Sequence, residues 1–153
     1  VLHSGVLRDI NEIEDHFHRL IPITQAMGVR VESYDGQQLV LQAPITLNHN
    51  HLGTAFGGSL NTLATLAGYG FLWLEVGDPQ YHVVIRESSI VFHRPVQRDL
   101  RAICRRPTAE ALAEFHDQLT RKGRGRIRLT STLEEDGLVA VQFEGTFVVV
   151  RGE

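Results

Sequence analysis

The chain has 153 residues, 42% of them hydrophobic and 22% charged, with a formal net charge of -3. That length supports one domain with a real core, this composition excludes a disordered chain, and the small negative charge gives no drive toward nucleic acid or acidic membranes. A lone cysteine, Cys104, excludes an internal disulfide, and Val1 to Val6 lacks a signal-peptide layout, so a cytoplasmic location is expected.

Ile10, Ile13, Phe17 and Leu20 recur at helical spacing, predicting an amphipathic helix over Leu7 to Leu20 with acidic residues early and basic ones late. Pro22 is expected to end it, and Thr24 to Met27 to add a short turn. Val29 to Tyr34 and Gln38 to Ala43 read as strands joined at Asp35-Gly36. No charged residue then occurs until Glu75. A polar, Gly-rich loop, Asn48 to Ser59, feeds a long uncharged segment closed by Gly77-Asp78-Pro79. The simplest reading is a helix wrapped on nearly all sides, with glycine amides presented at a buried N-terminus where negative charge is stabilised. Gly57 to Val76 has the roughly twenty-residue length of a membrane span, but its internal Asn and Thr residues and its polar or acidic flanks argue against one.

Tyr81 to Phe92 reads as a long strand ending at Pro95, and Asp99 to Arg105 as another. Thr108 to Thr120 is helical, with Thr108 as N-cap and Gly123 just past the end. Two strands, Arg124 to Leu133 and Leu138 to Val150, turn at Asp136-Gly137. The sum is an α+β domain covering residues 1–153, five or six antiparallel strands around one buried helix. Such a sheet leaves an edge and one helix flank uncovered, and a dimer is the usual remedy.

The pattern Asn-x-x-Gly-Thr-x-x-Gly-Gly (Asn50, Gly53, Thr54, Gly57, Gly58) leading into a long helix, with the strand end Phe92-His-Arg-Pro95, resembles the hotdog-fold thioesterases. Within them the chain is most similar to the group often fused as the C-terminal domain of an acetyltransferase, the YiiD C-terminal type. Asn48-x-Asn50, Phe56-x-Gly58-Ser59, Thr62-Leu-x-Thr65-Leu-x-Gly68, Trp73 and the basic segment Arg121 to Arg128 carry that likeness over essentially the whole chain. The resemblance implies a hotdog fold, a curled antiparallel sheet wrapped around one long central helix. It also implies a homodimer with active sites at the subunit interface, able to pair into a dimer of dimers. Acyl thioesters of coenzyme A or of an acyl carrier protein are the implied ligands, with no cofactor. In better-known members an acidic residue seven positions after the second glycine assists water attack. Here that position is Thr65, which is usual for the closer group.

A thioester hydrolase must polarise a carbonyl and deliver water. Gly58, through its backbone N–H, suits the first task, although paired glycines also serve close packing. Gly58, Asn61, Thr62, Thr65 and Tyr69 share one side of the central helix, a polar stripe that needs partners. Thr65, with Asn50 from the loop, is a candidate to hold the attacking water. A neutral Thr is a poor base, so His51 or Glu87 (the latter reaching across an interface) is a candidate proton acceptor. Glu87 also suits a cross-strand pair with an Arg, and Asn50 a plain turn. Asn48, Thr54, Phe56, Gly57, Ser59 and Asn61 are expected to contact substrate. His49 and His51 lack a Cys or carboxylate to complete a metal site. Cys104 reads as structural. Arg124, Arg126 and Arg128 fall on one strand face, where they suit either coenzyme A phosphates or a solvated, acid-paired surface.

Acyl-thioester hydrolysis is the leading function. A hydratase or dehydratase would need a carboxylate that the interval from Gly36 to Leu74 does not supply. A non-catalytic acyl-thioester-binding accessory domain is the reading that Thr65 itself motivates. Nucleic-acid binding rests only on the Arg121 to Arg128 run, without aromatic interleaving.

Overall fold

A computed structural model of the chain describes residues 9–153, so the readings of Val1 to Arg8 fall outside the described residues. Helix α1 spans Ile10–Leu20, where the Asp9 carboxylate accepts from the Asn11 amide at 2.9 Å as the N-cap. Ile13 and Phe17 are buried; Ile10 and Leu20, expected on the same apolar face, are exposed. Pro22 does not merely end this helix. It opens a second, α2 (Pro22–Ala26), because proline at the first helical position lacks only an amide that would have no partner there.

Strands β1 (Arg30–Tyr34) and β2 (Gln38–Ala43) form the first hairpin, with Gly36 at φ 84° in the turn. The long helix α3 runs Gly57–Val76 and ends on Gly77 in the left-handed conformation that glycine adopts without strain. Strand β3 (Tyr81–Phe92) follows, then β4 (Leu100–Arg105), α4 (Ala109–Lys122), β5 (Arg124–Glu135) and β6 (Leu138–Arg151). Thr108 caps α4 through its hydroxyl, and Gly123 closes it, as expected from sequence.

The six strands form one antiparallel sheet in the order β1-β2-β4-β5-β6-β3. This places the twelve-residue β3 at an edge, paired among the described residues with β6 alone. Its inward side lies beside α3, and α3 packs on β2, β3, β4, β5 and β6. Leu60, Leu63, Ala67, Phe71 and Leu74 of α3 sit in a continuous core with Leu39, Leu129, Phe143 and Phe147. Two helix glycines make this approach possible. A Cβ on Gly68 would lie 2.7 Å from the Phe147 ring, and one on Gly70 2.6 Å from that of Phe17. No helix among the described residues is long and apolar enough to cross a membrane.

Candidate active site

The loop before α3 is built by its own polar side chains. Asn48 is buried, and its carboxamide donates to the carbonyls of Met27 and Pro44 at 2.9 and 2.8 Å. It therefore fastens the loop to the end of α2 rather than reaching an open surface. Asn50 folds the tip: its Nδ2 donates to Thr54 Oγ1 at 2.8 Å, while its Oδ1 accepts from the amides of Leu52 (2.8 Å) and Thr54 (3.2 Å). Gly53, at φ 81°, completes that turn. The Ala55 amide then donates to Val96 O, and that of Phe56 to Asn48 O, so the loop delivers the chain rigidly into α3.

At the helix start, Leu60 is the first amide to bond back, to the Phe56 carbonyl at 3.0 Å. The amides of Gly57, Gly58 and Ser59 precede that bond, and no side chain among the described residues caps them. The sequence led us to expect a buried N-terminus; the structure corrects this, since Gly58 and Phe56 are exposed. The reason is that β3 ends here at the edge of the sheet, and nothing among the described residues folds over the corner. Two aromatic rings flank it instead. A Cβ on Gly58 would fall 2.5 Å from the Phe56 ring, and one on Gly57 3.7 Å from Phe92.

From this corner the polar stripe of α3 runs along the floor of an open cleft of about 480 Å³. Asn61, Thr62, Thr65 and Tyr69 come from the helix; Leu20 and Ile21 from the end of α1; Val83, Ile85 and Phe147 from the sheet. So α3 is not enclosed on every side. Its stripe is half-buried, and its groups find partners along the helix: Thr65 Oγ1 donates to Asn61 Oδ1 at 3.3 Å, and Thr62 Oγ1 to the Gly58 carbonyl at 2.9 Å. Among the described residues no acidic or basic side chain lines this cleft.

The structure brings Gly58, Asn61, Thr62 and Thr65 together along one helix face but does not bring Glu87 to Thr65 within the chain. Alternation along β3 from Val83 and Ile85 would aim Glu87 into the cleft. A bulge between Ile85 and Glu87 shifts the register, so Glu87 pairs with Thr146. It lines a separate recess of about 320 Å³ with Arg126, Arg128, Glu114 and Gln118. His51 is exposed on the loop, and the neighbouring His49 Nδ1 lies 2.9 Å from the Asn50 carbonyl. Arg124, Arg126 and Arg128 do alternate outward along β5; Arg128 meets Glu144 only at 3.9 Å. Cys104 is fully buried, and burial pushes its thiol up to about 12, which leaves it inert. Among the described residues no His, Cys, Asp or Glu cluster suited to a metal ion is found.

Sequence reasoning missed the apolar walls of the cleft and the partner of Tyr69. Tyr69 Oη lies 3.0 Å from His16 Nε2, and the His16 ring stacks on Trp73 at 3.7 Å between centroids, 8° from parallel. Burial raises the Tyr69 phenol, so it remains protonated and able to donate. Tyr69 at the fourth position after Thr65 was the visible signal; its partner on α1 lies fifty-three residues away in sequence.

A family model described as "Putative thioesterase (yiiD_Cterm)" matches residues 10–151. The chain belongs to that family. The fold of this thioesterase-family protein is the hotdog fold, as solved structures of relatives bear out. A Chlorobaculum tepidum protein of unknown function is 34% identical, with a TM-score of 0.86 over 93% of this chain and 94% of that one. A structure from Shewanella oneidensis, described as a "putative thioesterase", is 27% identical, with a TM-score of 0.82 over 92% of this chain and 96% of its own. A Haemophilus influenzae thioesterase at 12% identity shares the fold, with a TM-score of 0.74 over 99% and 96% of the two chains.

Proposed function

We propose that this family member hydrolyses acyl thioesters of coenzyme A or of an acyl carrier protein. The observation that carries the reading is the junction at Gly58. Uncapped amides at the start of a twenty-residue helix lie within a turn of Asn61 and Thr62, where its polar stripe enters a largely apolar cleft that no charged side chain among the described residues lines. The thioester carbonyl oxygen sits on the Gly58 N–H, where the helix dipole and the amide stabilise its developing charge, an effect worth about 3 kcal/mol where comparable donors are removed. The acyl chain runs from there over Thr62 and Thr65 into the cleft. Thr65, already bonded to Asn61, holds the attacking water; Asn50 acts by fixing the loop that sets the helix start. Proton transfer falls to His51 from the same loop, or to Glu87 of a second copy.

A homodimer fits the exposed β3 edge, where Val84, Ile85, Val91 and Phe92 are all at least 38% accessible. Arg124 and Arg126 are exposed on β5, Arg126 beside Glu87 in its recess, and suit the phosphates of coenzyme A. The buried free thiol of Cys104 fits a reducing cytoplasm.

The deciding assay is free-thiol release across a panel of acyl-CoA esters. Thr65→Ala and Asn50→Ala are each expected to lower the turnover number about ten- to a thousand-fold. Full activity in both variants would remove these residues from the site. The absence of any carboxylate in the cleft gives a second reading its one support: an accessory domain that binds acyl thioesters without cleaving them. Saturable binding with no thiol release would select it.

A further inference from the structure

Beyond the cleft beside Thr65 lies a second one of about 390 Å³, lined by His16, Trp73, Asp78, Tyr81 and His82 among others. The two clefts have three lining residues in common: Leu20 from α1, Tyr69 from α3 and Val83 from β3. Residues shared by both linings mark the boundary where the two clefts adjoin, a partition drawn from three different elements. Tyr69 is the bulky member, and it is held from behind: its hydroxyl lies 3.0 Å from His16 Nε2, and His16 is stacked on Trp73. A ring anchored at its tip cannot swing aside as a free side chain would.

The partition also has a defined distance from the chemistry. Tyr69 lies eleven residues after Gly58 on α3, about 16 Å at 1.5 Å per residue. Helical side chains lean toward the preceding turn, which brings the ring back to about 11 Å from the carbonyl position. Extended chain advances about 1.2 Å per bond, so this span takes roughly eight to twelve carbons, allowing for the slant of the cleft.

We propose that Leu20, Tyr69 and Val83 are the end wall of the acyl site, and that Tyr69, anchored by His16, restricts the protein to medium-chain acyl groups. The proposal rests on the acyl-thioester reading of the same cleft but not on turnover. Removing the Tyr69 ring joins the two clefts and admits longer chains.

The test uses non-hydrolysable acyl-CoA thioethers from butyryl to stearoyl, with affinity measured by calorimetry. In the parent protein, affinity is expected to rise about three- to fourfold per added methylene, the increment of burying one, and to level off near decanoyl to dodecanoyl. Tyr69→Ala is expected to carry the rise on to palmitoyl, a gain of tenfold or more for that ligand with octanoyl unchanged. Tyr69→Phe and His16→Ala each keep the ring but release its anchor, and both are expected to give an intermediate gain. Leu20→Ala trims the same wall at a side chain that is 56% exposed, so it keeps the test readable should Tyr69→Ala misfold. A plateau in the same place for both the Tyr69→Ala and Leu20→Ala proteins overturns the proposal, as does a parent with no plateau. Thiol release with ordinary thioesters is scored separately. A shifted plateau without release would sink the hydrolase reading and leave the wall standing, whereas release without a movable plateau would do the reverse.

Discussion

Glu75, the first charged residue after the long neutral interval, is only 4% exposed at the end of α3 and ties four parts of the fold together. Arg106, just after β4, holds its carboxylate in a two-pronged grip of 2.7 and 3.1 Å and also donates to the Gly36 carbonyl in the first hairpin turn. His116 of α4 lies 3.2 Å from Oε1. Burial pushes the Glu75 carboxyl up, but Arg106 and His116 together outweigh it and hold the group below its ordinary 4.5. The two partners are not equivalent. Arg106 is 32% exposed and can be rehydrated when its mate is lost, whereas Glu75 cannot. Arg106→Ala, leaving a buried carboxylate with His116 alone, is expected to cost about 3 kcal/mol, the low end for breaking a buried pair. Glu75→Gln keeps a hydrogen-bond acceptor and strands only the better-hydrated charge, so about 1–2 kcal/mol is expected. At about 2–4 °C per kcal/mol for a chain of this size, these are melting shifts of about 6–12 and 2–8 °C. The pH dependence carries a sign. A depressed carboxyl contributes stability above its unfolded value near 4.5 and loses it as pH falls through the lower folded value. The gap between parent and Arg106→Ala therefore narrows on acidification below that point. Urea titrations across neutral and acid pH measure it. A gap that stays constant, or a Glu75→Gln protein less stable than Arg106→Ala, would refute the argument. Turnover below the melting range should be unaffected, since Glu75 lies about 25 Å along α3 from Gly58.

Two further outcomes are expected. Neutralising Arg124 and Arg126 together should weaken coenzyme A binding and flatten its salt dependence in calorimetry; unchanged affinity would make β5 a solvated face. Sedimentation at micromolar concentration should find a dimer, and a fully folded monomer would mean that the β3 edge is tolerated uncovered.

Much of the fold was legible because local signals and the global arrangement agree. The bounds of β2 and β3 follow from sequence to the residue, as do the Thr108 and Gly123 ends of α4 and the Asp136-Gly137 turn, where both residues take positive φ. Each of those ends is set by a residue whose own chemistry decides the backbone. What stayed hidden depends on distant partners. The Asn48 carboxamide looked available for substrate until Met27 and Pro44 were seen to occupy its amide hydrogens. Period-two alternation could not reveal the bulge that carries Glu87 away from the cleft. Nor could composition show that Glu75 meets Arg106 and His116, thirty-one and forty-one residues further on.

The neutral cleft sets the remaining chemical problem. A charged base placed beside Thr65 would have to be desolvated against Leu66, Val83, Ile85 and Phe147, in the same space that an acyl chain needs to remain apolar. On the hydrolase reading Thr65 avoids that conflict, because a hydroxyl can hold water through hydrogen bonds alone, but at neutral pH it cannot take up the water's proton. On that reading the acceptor is expected at the solvent side of the Gly58 corner, where an ionised group stays hydrated. His51 stands on the exposed loop there, and the open β3 edge is where a second copy would bring its own Glu87. On the hydrolase reading, this division separates the work along α3: charge is handled at the helix start by backbone amides and a hydrated base, and chain length is handled two to three turns away by an uncharged wall. His51→Ala against Glu87→Gln, each assayed for thiol release with melting temperature as the control, assigns the proton. Full turnover in both variants would mean that neither residue accepts the proton.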